Sequence, residues 1–567
     1  MNRRSYRKAI GVIAIVLSLM GCNQRSKQTT VPAERPNIIF ILTDDQRADT
    51  LGCMGNPVIQ TPHIDQLAEE GVLFENASIT SAICTPSRIC YFLGQYERRH
   101  GVNFNSGTAV SQTAWKQSYP VILREAGYFT GYVGKNHAPI GNDGYSSGVM
   151  EDSFDYWYAS HGHIGFYPKK ECQEQTKIFD NAQADTQIEI IDEGVMNFLE
   201  TNEAFMAGAE DFLRERPADK PFCLSICFNL PHDYGASRMQ QLPSDPEIYK
   251  SLYRDRKDDM TLGDHYLAKA EIEKPKLPPA VLPVQYRQHG YDYVDEPATM
   301  RERKIRTYQA VTGIDKHVGN LRRKLKALGL SENTIIIYAS DHGIMQGEFG
   351  LGGKALNYEK CLRVPMIAYD PRATVSSSKK RRKELVQSID IAPTLLDIAG
   401  VPVPHTMQGD SMLPLVQGKQ ARWRRYAFAE NLWSTRFGNP RVESVRSQRW
   451  KYIRYFENDQ SIYERDLSDW VEMYKVTNPE AQRYKQWLDA SIKGEAPVYE
   501  ELYDLQNDPD ETVNLADNSK YRKMLNRMRK ACQDQLTRAR GPQSSSLPTV
   551  ELSKERLEYY RKYLKQD

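Results

Sequence analysis

The sequence predicts an α/β fold, in which helices flank a large central sheet, followed by a smaller α+β domain. Continuous apolar runs have the composition of strands buried on both faces, as in parallel sheets; they lie at 38–42, 222–228 and 335–339. Amphipathic helical patterns such as 306–328 alternate with these runs, as parallel strands require. Beyond about Arg424 the alternation ends. The predicted boundaries are 35–424 for the first domain and 425–567 for the second.

Composition places few limits on function but excludes some classes. The chain has 567 residues, which is more than one ordinary domain needs. Its 75 Lys and Arg residues nearly balance 73 Asp and Glu residues, so the net charge of +2 predicts no general attraction to nucleic acid. A hydrophobic content of 40% is typical of a globular protein and not of a disordered one.

The first 34 residues are predicted to be an export signal and a tether. A basic head is followed by an apolar run over 9–20, which is too short to span a bilayer and fits a signal peptide over 1–22. The run ends Leu19-Met20-Gly21-Cys22, which resembles a bacterial lipobox. That resemblance implies that Cys22 carries a lipid anchor and that 23–34 is a flexible tether. It places the protein in the periplasm or outer membrane of a bacterium; the alternative is an ordinary secretory signal with a chance cysteine.

Seven cysteines besides Cys22 and Cys84 give no sign of a metal or disulfide framework. An odd number cannot all pair within the chain, and the spacings match no zinc pattern. Cys223 and Cys227 would face the same side of a strand, where they are expected to be small buried hydrophobic residues. The others are Cys53, Cys90, Cys172, Cys361 and Cys532.

Two strand ends carry carboxylates. Asp44 and Asp45 directly follow the run at 38–42, and Asp341 and His342 follow the run at 335–339. Ligands bind at the carboxyl ends of strands in open α/β sheets, and adjacent carboxylates repel each other unless a cation lies between them. The pattern therefore predicts an oxygen-rich cation site, although a solvated acidic turn is the alternative reading of Asp44 and Asp45 alone.

Two further strand ends carry basic groups. A short strand over 128–133 leads to Lys135 and His137, and the strand at 222–228 leads to Pro231 and His232. A cation and an imidazole two residues apart at a strand end can both face one pocket. Surface lysines and core histidines are the plainer alternatives, but a core position is not expected beside a proline that ends a strand.

The remaining elements frame this predicted site. The stretch 235–300 is rich in Pro, Tyr, Asp and Lys with weak periodicity, which indicates an insertion over the site that selects substrate. The long amphipathic helix at 306–328 and a helix at 386–399 complete the first domain. In the second, 445–455 reads as an edge strand, 501–505 as a strand and 520–540 as a basic amphipathic helix.

Cys84-Thr85-Pro86-Ser87-Arg88, followed by an apolar helical run to Gly94, resembles the Cys-x-Pro-x-Arg signature of the arylsulfatase-like, formylglycine-dependent sulfatases. Other segments resemble that family in the same order along 35–517. They are 134–137, a Gly-Lys-x-His segment with Asn136 where Trp is frequent, 354–359, a Lys-x-x-x-Tyr-Glu segment, and 363–365, which is Arg-Val-Pro.

The resemblance implies the alkaline phosphatase superfamily, a sandwich with a large mixed sheet between helices and a smaller C-terminal domain. It implies that a dedicated maturation enzyme oxidises Cys84 to formylglycine, whose hydrated aldehyde is the nucleophile. It also implies one divalent cation, Ca²⁺, which formylglycine and four other ligands hold: Asp44, Asp45, Asp341 and His342. Family members often carry Asn at position 342, so a nitrogen ligand there is a departure.

The family also implies roles for the remaining groups. Arg88 and Lys135 stabilise the formylglycine and the sulfate charge, and His137 is the base that later collapses the hemiacetal sulfate. His232 and Lys354 neutralise charge and protonate the leaving alcohol.

The implied activity is hydrolysis of sulfate esters, on sulfated carbohydrates such as glycosaminoglycan, mucin or algal glycan saccharides. Candidate sugar contacts are aromatic and basic groups outside the motifs, and a structural role is the open alternative for each of them: Tyr156, Trp157, Tyr158, His161, His163, Arg436, Arg441 and Arg446. Two alternatives stay open. A phosphonate or phosphate monoester hydrolase of the same superfamily shares the cation site, although phosphatases place Ser or Thr at position 84. A non-catalytic glycan-binding surface lipoprotein would not explain the convergent Asp, Lys and His set.

Overall fold

A computed structural model describes most of the chain from Arg35 onward. The described ranges are 35–161, 207–232, 251–282, 288, 291–376, 379–419, 422–433, 438–457, 478–542 and 547–553. Several sequence predictions fall outside them: the signal, lipobox and tether of 1–34, Cys172, His163 and Arg436. Among the described residues, no helix combines the length and apolarity that a membrane crossing needs.

Sixteen strands lie in the described part of the chain. In chain order they are β1 (Asn37–Thr43), β2 (Val72–Phe74), β3 (Thr108–Val110), β4 (Phe129–Asn136), β5 (Tyr156–His161), β6 (Phe222–Cys227), β7 (Thr334–Ser340), β8 (Met345–Gln346), β9 (Gly352–Gly353), β10 (Met366–Tyr369), β11 (Arg381–Arg382), β12 (Ala427–Asn431), β13 (Val442–Arg446), β14 (Trp450–Tyr455), β15 (Tyr499–Asp504) and β16 (Thr549–Glu551).

Eight of these strands form the main sheet, in the order β11-β2-β10-β7-β1-β6-β4-β5. β1 pairs in parallel with β6 and β7, and β4 pairs in parallel with β5 and β6. β10 is antiparallel to both of its neighbours, whereas β11 is parallel to β2. Every strand except β10 therefore runs in one direction, and their carboxyl ends share one edge of a mixed sheet.

Helices cover both faces of this sheet. Alternate residues of β1 enter opposite hydrophobic clusters, with Ile38, Phe40 and Leu42 in one and Ile39 and Ile41 in the other. This double burial explains the continuous apolar run. The α-helices of the described residues are Pro62–Glu70, Cys84–Leu93, Glu97–His100, Gln112–Trp115, Tyr119–Glu125, Val149–Asp152, Ala207–Glu215, Pro297–Ala327, Glu359–Leu362, Ile391–Ile398, Leu413–Val416, Asn478–Ala490 and Arg522–Arg540.

Two helix predictions differ from the structure at their starts. The long helix begins at Pro297 and not at 306, because a proline in the first turn loses no intrahelical hydrogen bond. The helix predicted over 386–399 is a 3₁₀ turn, Ser388–Asp390, that leads into the α-helix Ile391–Ile398.

The second sheet is antiparallel, in the order β12-β13-β14-β15. The prediction of one edge strand over 445–455 is wrong, because this region contributes two interior strands, β13 and β14, joined by a tight turn. The Ser447 hydroxyl accepts hydrogen bonds from the backbone N–H groups of Arg449 and Trp450, which closes a turn without Gly or Pro. The mixed sheet and the smaller second sheet confirm the predicted fold class, whereas the boundary at 425 stays a prediction.

The described cysteines are free thiols. Cys223 and Cys227 are buried in the same hydrophobic cluster, which confirms that they are small core residues.

Candidate active site

The carboxyl edge of the main sheet gathers most of the residues that the sequence singled out. Asp44 and Asp45 follow β1, Asp341 and His342 follow β7, and Lys135 lies near the end of β4. These side chains are buried, as are Cys84, Arg88, His137 and Lys354. His232, beyond β6, is the most open member, with 14% of its side chain exposed.

Backbone hydrogen bonds between neighbouring strand ends fix the acidic turn. The Asp44 N–H donates to the Leu230 carbonyl at 3.0 Å, and the Asp341 N–H donates to Thr43 at 2.9 Å. Asp45 adopts a left-handed conformation with φ of 59°, and its N–H donates to the Asp341 carboxylate at 3.2 Å. A non-glycine residue at positive φ is strained and persists where surrounding contacts hold it.

Cys84 begins the helix Cys84–Leu93, and its thiol lies among charged groups. Its Sγ is 3.2 Å from Lys354 Nζ, 3.2 Å from His342 Nε2 and 3.6 Å from Asp44 Oδ1. Burial acts to raise the pKa of this thiol, but the charges of Lys135 and Lys354 outweigh it and hold the pKa well below its ordinary value. Buried cysteines elsewhere show the opposite, because burial raises the pKa of Cys361 to about 12.

Arg88, one helical turn after Cys84, clamps the carboxylates of two different strand ends. Its Nε donates to Asp341 at 2.9 Å, and one terminal nitrogen donates to Asp44 at 3.1 Å. The other terminal nitrogen donates to the Lys135 carbonyl at 2.9 Å. The guanidinium is fully buried and ties β1, β4 and β7 together at their ends.

The two lysines pair with different carboxylates. Lys135 forms an ion pair with Asp44, and Lys354 Nζ lies 3.1 Å from Asp45 Oδ1. His232 Nε2 approaches the other oxygen of Asp45 at 3.7 Å. Burial acts to raise the pKa of Asp45, but the charges of Lys354 and His232 reverse the effect and lower it.

The carboxylates, His342 and Cys84 converge closely enough to share one ion. Within each of two groups, Asp44, Cys84, Asp341 and His342, and Asp44, Asp45, Cys84 and His232, the ligand atoms lie within 4.8 Å of one another. His342 Nδ1 is 3.0 Å from the Gly343 carbonyl and 3.0 Å from Asp45 Oδ1, so Nδ1 carries a proton and Nε2 faces Asp341 and Cys84. Burial acts to lower the pKa of His342, but the charges of Asp341 and Cys84 outweigh it and raise the pKa to about 9, so a cation bound at Nε2 would displace a proton. Burial and the charge of Asp44 raise the pKa of Asp341 to about 6. The donor set fits a divalent cation.

His137 lies against the same thiol from the β4 side. Burial lowers its pKa to about 4, although a hydrogen bond with Cys84 acts to raise it. Its ring contacts Phe104 and Tyr145, with centroid separations of 5.5 and 6.1 Å. A neutral imidazole beside the reacting position suits a general base.

A polar chain behind His137 was not predicted from the sequence. The Asn136 side-chain oxygen accepts from the Ala138 N–H at 3.0 Å, and its amide nitrogen lies 2.7 Å from His161 Nδ1. His161 Nε2 is 2.7 Å from a Glu151 oxygen. Because the amide donates to Nδ1, Nε2 carries the proton and donates to Glu151. Asn136, which departs from the family motif, thus holds the turn that carries His137.

The described candidates for sugar contacts have partners within the protein, as the structural alternative for them expects. Trp157 is in the core, where it stacks on Tyr132 at 5.2 Å, and Tyr156 and Tyr158 pack against the opposite hydrophobic cluster. Arg441 pairs with Glu495, and Arg446 pairs with Glu359. Both arginines and His161 are buried, and His161 contacts the Asn136 side chain.

The insertion packs on the loop that carries Lys354. Leu267 donates its N–H to the Gly347 carbonyl at 2.9 Å, and Gln288 donates its side-chain amide to the Lys354 carbonyl at 2.6 Å. Gly353 has φ of 102°, and a Cβ there would lie 1.9 Å from the Gln288 side chain. Gln288 was missed because nothing in the local sequence marks a contact 66 residues away.

A model of the sulfatase family matches residues 36–401, which is more than half of the chain. The chain belongs to the sulfatase family. It is therefore a sulfuric ester hydrolase of the alkaline phosphatase superfamily. A second model, the C-terminal part of N-sulphoglucosamine sulphohydrolase, matches residues 347–494.

Relatives include an N-acetylglucosamine-6-O-sulfatase of Bacteroides thetaiotaomicron, 28% identical over 507 residues that cover 81% of this chain and 83% of the relative. An arylsulfatase of Clostridium perfringens is 26% identical over 515 residues, covering 88% and 93%. A solved structure in complex with D-glucosamine-2-N,6-O-disulfate has a TM-score of 0.59 at 22% identity, covering 89% of this chain and 98% of that one. The phosphonate monoester hydrolase of Agrobacterium radiobacter has a TM-score of 0.62 at 21% identity, covering 89% and 96%. These two structures share the fold.

Proposed function

We propose that this enzyme hydrolyses sulfate esters of sulfated saccharides, with Cys84 oxidised to formylglycine and Ca²⁺ as its cation. The observation that carries the proposal is the setting of Cys84. Its side chain lies within 3.2 Å of both Lys354 and His342 and beside Asp44. The thiol stands where a formylglycine oxygen would contact the same groups.

The cation site supports an oxygen-preferring metal. Asp44, Asp45 and Asp341 supply carboxylate oxygens, and His342 supplies Nε2, as the ligands that would hold it. When bound, Ca²⁺ would offset the mutual repulsion of these carboxylates and polarise the sulfate oxygens. Arg88 keeps Asp44 and Asp341 at fixed separation through its two hydrogen bonds, so the site is organised before any ligand arrives.

The nucleophile proposed here comes from maturation. A dedicated enzyme would use an external two-electron oxidant to convert the Cys84 Cβ to an aldehyde, with the sulfur leaving as sulfide, and hydration would give two hydroxyl groups. One hydroxyl bonds to sulfur as the sulfur–oxygen bond to the alcohol breaks, and the alcohol leaves with a proton. The second hydroxyl then gives its proton to a base as sulfate departs, which restores the aldehyde.

The surrounding residues divide the proton transfers between two sides. Burial lowers the pKa of His137 to about 4, so its ring is neutral at pH 7 and has a lone pair that can accept a proton; its position beside Cys84 is the reason we assign it as the base. His232 and Lys354 both face Asp45 on the opposite side. His232, the most open of the site residues, is the group we assign to the departing alcohol. Lys354 balances the charge that develops there.

The substrate class follows from the relatives and from the predicted address. The N-acetylglucosamine-6-O-sulfatase relative acts on a sulfated sugar by its name, and the structure with bound D-glucosamine-2-N,6-O-disulfate contains one. We propose a sulfated saccharide for this enzyme as well. A lipid on Cys22 would keep it at the periplasmic or outer-membrane surface, where such polymers are met.

Parallel assays on 4-nitrophenyl sulfate, 4-nitrophenyl phosphate and a phenyl phosphonate ester test the reaction class. The enzyme, co-expressed with a formylglycine-generating enzyme, should release sulfate faster than it cleaves either phosphorus ester. Faster cleavage of the phosphonate ester would favour the second candidate, because a phosphonate monoester hydrolase shares this fold. A panel of sulfated mono- and disaccharides of defined linkage then identifies the sugar, and binding without turnover of any ester would indicate a glycan-binding lipoprotein.

A further inference from the structure

A dense group of cations lies at the β11 end of the main sheet. Residues 379–383 read Lys-Lys-Arg-Arg-Lys and include β11, the edge strand. Side chains of a strand alternate between its faces, and the exposure follows that alternation. Lys379, Arg381 and Lys383 are exposed, whereas Lys380 is half-buried and Arg382 is buried.

A second chain segment lies beside the first and adds to its charge. Lys379 Nζ donates to the Gly418 carbonyl at 2.8 Å, and Arg382 donates to the Lys419 carbonyl at 3.3 Å. Both Lys419 and Arg422 in this second segment are exposed. We call the five exposed cations the basic strip: Lys379, Arg381, Lys383, Lys419 and Arg422.

The basic strip carries charge that its neighbours do not neutralise. Arg381 pairs with Glu75 at 2.7 Å. Among the described residues, the other four members form no ion pair with a carboxylate. The chain as a whole has a net charge of only +2, so this surface is a local excess and not a consequence of composition. Unpaired surface cations at close spacing attract a polyanion.

A polar cavity of about 210 Å³ borders the strip. Asn76 and Gln448 line it, and each donates its side-chain amide to the Lys383 carbonyl, at 2.9 and 3.1 Å. Its walls contain Lys360 and Arg363 and also three carboxylates, Asp49, Glu359 and Asp510, so its charges nearly balance. The cavity is therefore a polar recess at the junction of the main sheet and the second sheet, and the excess positive charge lies on the strip itself.

The strip and the catalytic centre lie on the same edge of the sheet. β11 is parallel to β2, and β2 has the direction of β7 because both are antiparallel to β10. The carboxyl end of β11, at Lys383, is therefore on the edge that carries Asp44 and Asp341. β11 is four strands from β1, which is about 19 Å at the usual spacing between strands of about 4.8 Å.

We propose that the basic strip and its cavity bind a remote segment of an anionic polysaccharide while one of its sulfate esters lies at Cys84. This proposal rests on the proposed function, because it specifies that the same sulfated saccharide is bound as a long chain. A single sugar cannot cover a separation of about 19 Å, so the strip would select chains over mono- and disaccharides. A recess beside the strip suits a flexible chain segment better than a flat bilayer surface.

The test compares two triple variants with equal loss of charge. Lys379→Gln/Lys383→Gln/Lys419→Gln weakens the strip without touching the catalytic residues. Lys520→Gln/Lys523→Gln/Lys530→Gln removes three exposed lysines on and beside the helix Arg522–Arg540. The probes are fluorescent heparin disaccharide and octasaccharide, with binding measured over a range of salt concentrations, and 4-nitrophenyl sulfate for turnover.

The strip variant should bind the octasaccharide roughly tenfold more weakly and show a smaller salt dependence. Its disaccharide binding and its kcat/KM for 4-nitrophenyl sulfate should match those of the unchanged enzyme and the control variant. Equal losses in both triple variants, or no loss in either, would overturn the proposal. Selective loss of binding to phosphatidylglycerol vesicles, with octasaccharide binding unchanged, would assign the strip to a membrane and overturn it too. Octasaccharide binding that depends on the strip in a protein without sulfatase activity would retain the strip and refute the proposed function.

Discussion

Two buried clusters of charged residues in this molecule have a similar composition but differ in how their side chains are arranged. The active-site cluster contains Asp44, Asp45, Asp341, Arg88, Lys135, Lys354 and His342. The Arg98 cluster, between the main domain and the second sheet, contains Arg98, Glu430, Glu443 and Arg454. Both exclude water almost completely, since their side chains are at most 10% exposed.

The clusters differ in which groups face each other. In the Arg98 cluster, Arg98 donates to Glu430 at 2.9 Å and to Glu443, and Ser491 donates to Glu443 at 2.5 Å. Each carboxylate there meets a guanidinium. In the active-site cluster each carboxylate also meets a cation, but here carboxylates, a histidine and a thiol converge as well. In the described part of the chain only this edge brings ligand atoms of at least three His, Cys, Asp or Glu residues within 4.8 Å of one another. Convergence of ligand atoms, and not burial or ion pairing, distinguishes this site from the Arg98 cluster.

The largest expected effect is a loss of activity and of bound metal in the active-site cluster. Asp341→Ala removes one of the proposed cation ligands, so fewer carboxylates are left to hold the cation. We expect kcat/KM to fall by more than about 1,000-fold, with loss of bound metal, because the cation polarises the sulfate and orients the nucleophile. Glu443→Ala is the matched change in the Arg98 cluster, and it should leave metal content intact while lowering stability by about 3–5 kcal/mol.

Metal analysis, sulfate release and thermal unfolding of both variants provide the measurement. Normal metal content and turnover in Asp341→Ala would show that the cation site lies elsewhere.

A second prediction distinguishes the residues that assist the departing alcohol from those that do not, by comparing substrates with good and poor leaving groups. His232→Ala and Lys354→Ala remove groups that meet charge on the departing oxygen, whereas a phenol leaves with little help. The loss of kcat/KM should therefore be about 100-fold greater for a sulfated sugar than for 4-nitrophenyl sulfate. Arg88→Ala should harm both substrates to a similar degree, because Arg88 organises Asp44 and Asp341 instead. Equal losses for both substrates in the His232 and Lys354 variants would limit those residues to binding sulfate.

A third prediction concerns the hydrogen-bonded polar chain that joins the side chains of Glu151, His161 and Asn136. His161→Ala should lower kcat about tenfold with KM nearly unchanged, because His137 loses its fixed orientation while the sulfate-binding groups stay in place. Adding Asn136→Ala should cause little further loss, since both residues act through the same turn. His405→Ala, at an exposed histidine, is the control. A rise in KM with kcat preserved would instead place His161 in contact with substrate.

The smallest expected effect lies in the Arg98 cluster and depends on pH. Burial and the neighbouring Glu97 and Glu443 outweigh Arg98 and raise the pKa of Glu430 to about 7. A carboxyl with a raised folded-state pKa stabilises most below its unfolded value of 4.5, and this contribution is lost as pH rises to about 7. Relative to Glu430→Gln, the unchanged protein should thus lose roughly 2 kcal/mol between pH 5 and 7.5.

Thermal unfolding of both proteins at the two pH values measures this difference. If the gap in Tm between them stays constant, Glu430 is ionised throughout and the Arg98 cluster is fully neutralised.

The sequence predicted the strand ends because their physics is local. A run buried on both faces must be continuously apolar, and the polar residues that end it, such as Asp44 and Asp341, must lie at the sheet edge. The Cys84 segment was identifiable because its motif is contiguous. The relative placement of Lys354, carried by a loop after β9, followed only from the family resemblance.

Other features depend on contacts between distant segments, which local patterns do not encode. The pairing of Arg98 with Glu430 joins residues 332 positions apart. The turn between β13 and β14 is closed by Ser447 and contains no Gly or Pro, so the sequence predicts one continuous strand over 445–455. The aromatic residues of β5 fit a sugar platform in the sequence, but Trp157 is buried in one core of the sheet, and Tyr156 and Tyr158 pack, partly buried, against the other.

The most direct test of the account is the state of Cys84 in active enzyme. Preparations co-expressed with different amounts of a formylglycine-generating enzyme should be analysed by peptide mass for the fraction of Cys84 converted to aldehyde, and assayed for sulfate release. We expect specific activity to rise in proportion to that fraction and to vanish with it, while the unconverted protein remains folded. Full activity in protein whose Cys84 is still a thiol would contradict the central claim.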